Sequence, residues 1–204
     1  MNLLSNKSAG ILFGVASLLM FIMILLYFFV YQPPVGEWQV RLQYMQDHWN
    51  LIATIWRIEF LTAVIIAWVA FSLAHHTPWW YLVAIGHLLM LVEYLLMLGG
   101  YPAATTREAF QVINEMALWA FAAANCLWTL GMAGVYFGTA GWLRYAGAGL
   151  AFIAGVLFGG IVLGLTTVES IMVVGPMIIL LYVLNVYFGI RFLVMRNDPA
   201  KYSF

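Results

Sequence analysis

The stretch AGILFGVASLLMFIMILLYFFVY, Ala9 to Tyr31, runs for 23 residues without a charge. As an α-helix it would extend about 34 Å, enough to cross the hydrocarbon core of a bilayer. It exceeds the roughly 7–15-residue apolar run of a secretory signal, and no small-residue cleavage site follows. It therefore reads as a membrane-spanning helix and not as a processed leader.

The rest of the chain repeats that character. Spans are expected over about 9–31, 51–74, 78–98, 109–137, 143–165 and 168–194. Of the 204 residues, 65% are hydrophobic and 8% are charged, against roughly 25% charged in soluble domains. Too few charges remain to build a water-facing surface. The expected fold is an all-α, polytopic membrane protein, a bundle of about six transmembrane helices forming a single domain over 1–204. The nine tryptophans within a 17% aromatic content suit the two membrane interfaces, where a ring can keep one edge dry and the other wet.

Composition also excludes. The net charge is zero and no basic patch occurs, so nucleic acid is not an expected partner. Cys126 is the only cysteine, which forbids an intramolecular disulfide. P-loop, dinucleotide-binding, zinc-protease, histidine-box and CxxC spacings are absent, as is any internal repeat. Membrane lipids are the expected surroundings, with a homo-oligomer or other membrane subunits as further partners.

Local signals mark several helix ends. Thr77 is expected to cap a helix with Pro78 at its first position. Gly99-Gly100-Tyr101-Pro102 reads as a helix stop. Thr105 with Glu108, and Thr166 with Glu169, have capping-box spacing. Six spans put both termini on one side, together with Lys7, Arg144, Arg191, Arg196 and Lys201. The other side holds Arg41 and Arg107, with Arg57 near it. The excess of basic residues places both termini in the cytoplasm and the protein in a plasma (inner) membrane.

Polar residues inside apolar spans carry the functional information, because a charge at mid-bilayer costs roughly 2.5–3.5 kcal/mol on insertion scales. Arg57 and Glu59 fall in the outer part of the second span, Glu93 in that of the third, and Asn114 and Glu115 in that of the fourth. Gly175-Pro176 interrupts the sixth at similar depth. Upstream, Trp38, Leu42, Met45 and Trp49 form an apolar helical stripe, with Gln39, Gln43, Gln46, Asn50, Thr54 and Arg57 one position on. Residues 37–50 are thus expected as an amphipathic extension of the second helix, carrying a polar stripe down to Arg57. A second face holds His48, Ile55, Glu59 and Thr62. Gln111, Glu115, Asn125 and Thr129 are expected near one face of the fourth span.

The candidate cluster is Arg57, Glu59, Glu93, Glu115, Asn114, Asn50 and His48, with Arg57 as a fixed cation paired to one glutamate. The competing reading makes these residues snorkelling interface side chains or a structural ion pair. No metal is expected: the Glu-x-x-His pairs of carboxylate-bridged sites are missing, and His48 lies about 16 Å along the helix from Glu59. Haem lacks facing axial ligands, since His87 alone among the histidines is deep in a span. No cofactor is indicated.

The functional expectation is an outward-facing intramembrane polar pocket for a polar or amphiphilic ligand, a lipid or an ion, or a subunit role in a membrane complex. The alternatives are a membrane-embedded enzyme on lipid or quinone, using a glutamate as general acid or base and Arg57 as anion clamp, and a purely structural subunit. Gly147, Ala151, Gly155 and Gly159 recur every four residues and are expected to form a helix-packing or oligomer face.

Overall fold

Where no water is at hand, backbone N–H and C=O groups pair within their own segment, and the helix is the solution open to a single stretch of chain. The computed structural model describes residues 4–34, 37–166 and 171–194, and every regular element among them is helical. The helices are α1 Asn6–Leu26, α2 Trp38–Asp47, α3 Trp49–Leu73, α4 Trp79–Ala103, α5 Arg107–Phe137, α6 Ala148–Val162 and α7 Ile171–Phe188. Wider π-type turns extend α1 over Tyr27–Tyr31, precede α6 over Leu143–Gly147 and follow α7 over Gly189–Val194. Six helical segments are long and apolar enough to cross a membrane. Their outer faces expose large apolar side chains such as Phe29, Leu61, Leu95 and Trp119, a surface that suits lipid and not water.

The six long helices close a ring in the order α1, α3, α4, α5, α6, α7 and back to α1, with α4 against α5 the most extensive pair. That pair meets almost backbone to backbone. A Cβ on Gly86 would lie 2.6 Å from the Trp128 nitrogen, and one on Gly131 would lie 2.7 Å from the Val83 nitrogen. Only glycine permits such an approach, and close approach drives association where lipid offers no hydrophobic contrast. The stripe on α6 is also internal. Gly155 meets Leu130 and Thr129, Gly159 meets Cys126, and Gly147 meets Tyr136, all but the turn's own Leu143 on α5; Ala151 is fully buried beside them.

Several helix ends depart from the sequence expectation. α4 runs through Gly99 and Gly100 to Ala103. Gly100 is a contact point and not a stop: a Cβ there would lie 2.8 Å from Ile113 of α5. Tyr101, buried against Trp56 and Phe110, holds the last turn in place, and Pro102 falls one residue before the helix ends. The helix starts at Trp79 with Pro78 as its cap residue, one position later than expected. The α5 cap is Thr106, whose side chain accepts from the Ala109 amide at 3.2 Å, so the Thr105–Glu108 box is out of register. Glu169 of the second box lies outside the described residues. α7 continues through Pro176.

The amphipathic extension is a separate helix. The chain breaks at His48 (φ −107°, ψ 13°), whose ring bonds back to the Tyr44 carbonyl at 2.9 Å and stacks on the Tyr44 ring. Leu42 and Met45 of the apolar stripe are buried. Gln39, Gln43, Gln46, Asn50, Thr54 and Arg57 are all exposed, so the polar stripe faces out of the ring and not into it.

Candidate functional site

A polar side chain buried in a helix bundle is costly without a partner, and a hydroxyl can take one from its own helix. Thr62 donates to the Ile58 carbonyl, Thr129 to that of Asn125 and Thr139 to that of Tyr136. His87 is fully buried and donates from Nδ1 to the Val83 carbonyl at 2.8 Å. Asn125 donates to Phe121 and accepts from the Trp128 indole at 2.8 Å. Asn185 accepts from the Tyr136 hydroxyl across the ring. A carboxylate has no such recourse. It only accepts, and a helix interior has no free N–H to offer.

Glu59 and Glu93 are the two buried acids among the described residues, 5% and 9% exposed. Glu59 lies ten positions below the start of α3, and Glu93 lies ten positions below the end of α4. The helices are antiparallel neighbours, so both carboxyls sit at one depth, roughly 15 Å in from the same end of the bundle by the helical rise. The Tyr94 hydroxyl donates to the Met20 sulfur at 3.8 Å, and Tyr94 lines the same cavity as Glu59. Among the described residues no donor bonds to Glu93.

Both acids line one cavity of about 400 Å³. Helical spacing explains its walls. Met90, Glu93, Tyr94, Met97 and Tyr101 make one face of α4, and Asn114, Leu118, Phe121 and Asn125 make one face of α5. α1 adds Met20, Ile24 and Tyr27, and α7 closes the far wall with Ile178 and Tyr182. The mouth is framed by Arg41 of α2, Gln32 and Asn114. Asn114 is fixed by the Tyr101 hydroxyl at 3.2 Å, and the Arg41 guanidinium lies over the Phe110 ring at 5.7 Å. Arg41 and Asn114 also line an outer groove with Glu37, Arg107 and Glu115.

The structure thus brings together three of the seven candidate residues: Glu59 and Glu93 inside, and Asn114 at the mouth. Arg57 is exposed. Two positions from Glu59, it points to the other side of α3, since residues i and i+2 do not share a helix face. This corrects the expected ion pair. Glu115 is exposed in the outer groove, one position from Asn114. Asn50 is exposed and His48 is packed on Tyr44; neither lines the cavity. Gln111 and Glu115 are exposed while Asn125 and Thr129 are buried, so these four do not share a face.

Sequence reasoning missed Arg41, Tyr94 and Tyr101 as site residues, and it placed Asn125 in the polar stripe of the fourth span without joining it to the glutamates. The signal was present: Asn114 and Asn125 are eleven positions apart, three turns of one face, and Met90-Met97-Tyr101 flank Glu93 at helical spacing. Among the described residues no three His, Cys, Asp or Glu side chains gather as a metal ion would require. Comparison with family models, with curated proteins and with solved structures finds no match to the chain.

Proposed function

We propose that this is a multi-pass membrane protein that binds a small amphiphilic ligand in the cavity holding Glu59 and Glu93. One observation carries the reading: two buried carboxyls from neighbouring helices face the same 400 Å³ space, and Glu93 takes no donor from the described residues. A charge or even a neutral carboxyl at that depth is costly without a partner, and a cavity of this size matches small-ligand sites, about 300–1,000 Å³. Its walls are mostly thioether and aromatic, with a few polar groups to orient a guest. The excess of Lys and Arg on the terminal side of the bundle supports a mouth that opens outward from the cytoplasm.

The test is native mass spectrometry of the protein extracted from its own membrane in mild detergent. A bound small mass is expected on the wild type and absent from Glu93→Gln, with both proteins unfolding at similar temperature. A wild type that carries no adduct beyond bulk lipid and detergent under several extractions would overturn the reading.

A further inference from the structure

The cavity's chemistry narrows the class of ligand, an inference that rests on the binding role proposed above. We infer that the guest is a lipophilic organic cation, an ammonium or similarly charged group on an apolar body, whose positive end sits between Glu59 and Glu93.

Three features of the cavity converge on that class. The first is charge. The inner lining holds two acidic groups, and among the described residues its only basic one is Arg41, at the mouth. Arg41 is held over Phe110, so the lining itself provides no cation at the depth of the acids. Removing a carboxylate from water without a counter-charge is unfavourable, and a guest cation supplies the missing partner.

The second feature is the aromatic wall. Tyr27, Tyr94 and Tyr182 line the cavity together with both carboxyls. Trp56 is 5.9 Å from the Tyr27 ring and 5.9 Å from the Tyr101 ring, forming a collar above the acids. Ring faces attract cations, most strongly where water is excluded. A collar of rings over two acids favours a diffuse organic cation, and among the described residues no three His, Cys, Asp or Glu side chains gather as a metal ion would require.

The third feature is the thioether lining. Met20, Met45, Met90 and Met97 are buried around the cavity. Methionine is unbranched and polarisable, and it reshapes to suit apolar bodies of differing outline. That property fits a hydrophobic guest held by charge at one end. The same chemistry could come from a free amphiphilic amine or from the ammonium headgroup of a lipid.

The experiment uses three probes of similar shape: tetraphenylphosphonium (cation), triphenylphosphine oxide (neutral) and tetraphenylborate (anion). Each is titrated onto the full chain in phosphatidylglycerol nanodiscs, with empty nanodiscs as the partition control, and binding is read by quenching of tryptophan fluorescence. The cation is expected to bind roughly tenfold or more tightly than the neutral probe, as a desolvated charge–carboxylate contact implies. Glu59→Gln and Glu93→Gln should each remove that preference and leave the neutral probe unchanged. Equal binding of cation and neutral probe, insensitive to both variants, would overturn the cation class and keep the cavity as a binding site. Preference for the anion would also overturn it and would point to Arg41. Binding of no probe would overturn the cation class, and the native mass adduct then decides separately whether the binding role survives. Repeating the titration with phosphatidylethanolamine in the nanodisc separates the two sources. Loss of tetraphenylphosphonium binding there assigns the site to a lipid ammonium headgroup, and unchanged binding assigns it to a free amphiphilic cation.

Discussion

Two stretches of α4 only a few turns apart face the centre of the same ring and meet opposite surroundings. From Trp79 to Gly86 the helix touches α5 at backbone distance, and the middle of the ring is filled. Trp80 packs edge-on against Phe13, Phe188 contacts both, and Trp128 lies on Tyr182 at 5.0 Å between ring centroids. From Met90 to Tyr101 the same helix lines a hollow. Small residues allow helices to close up where aromatic side chains from α1, α5 and α7 fill the centre. Where α4 turns methionine, glutamate and tyrosine inward instead, a hollow remains. The Trp128–Tyr182 contact is the floor between the halves, and Asn125 is pinned to it by the Trp128 indole. One helix bundle can thus hold a filled plug and an open chamber end to end, with the division set by side-chain size.

That contrast can be broken most severely in the filled half. Gly86→Leu would place a side chain where the Trp128 and Ala124 backbones already lie. Overpacking of this kind should cost about 3 kcal/mol or more, read as a large drop in the unfolding temperature or loss of the monodisperse peak in size-exclusion chromatography. A normal unfolding curve would mean the α4–α5 approach is wrong. A smaller loss, about 1–3 kcal/mol, is expected for Tyr136→Phe, which leaves the buried Asn185 amide oxygen without its donor. Ligand retention should survive that change, since the pair lies below the chamber floor.

In the hollow half the pattern reverses. Glu59→Gln and Glu93→Gln should alter stability by less than about 1 kcal/mol, because both side chains border the cavity and glutamine keeps the size and polarity of each. They should nevertheless abolish ligand retention in native mass spectrometry. Strong destabilisation by either would show that the acids hold the fold together. The smallest effect belongs to Arg57→Leu and Glu115→Gln, both on exposed side chains. Neither is expected to change the unfolding temperature or the bound mass, and loss of the ligand in Arg57→Leu would reinstate Arg57 as part of the site.

The number and placement of long helices were legible in the sequence because each segment's apolarity is a local property. Helix ends were less so, since Gly100 and Pro102 look like a stop until Ile113 and Phe110 are known to pack there. Of the site, depth was legible and direction was not. Glu59, Glu93 and Arg57 all fall at similar heights, but which of them turns inward depends on which face of α3 meets α1 and α4, a tertiary fact. Arg41 escaped notice because it lies on α2, whose contact with α5 brings it to the mouth only after the chain turns at His48. The glycine stripe of α6 was visible as a packing face, but its partner, α5, was not.

The account stands on the hollow half being open to the water phase and the filled half being closed, and cysteine accessibility tests this directly. In a Cys126→Ala background, Met97→Cys samples the chamber wall and Val83→Cys samples the plug, both on α4 and both buried at 9% and 0% exposure. Each is treated, in membranes, with a charged, water-soluble methanethiosulfonate reagent. Reaction at position 97 and none at position 83 is the predicted result. Equal reaction at both positions, or none at 97, would contradict the chamber on which the binding role rests.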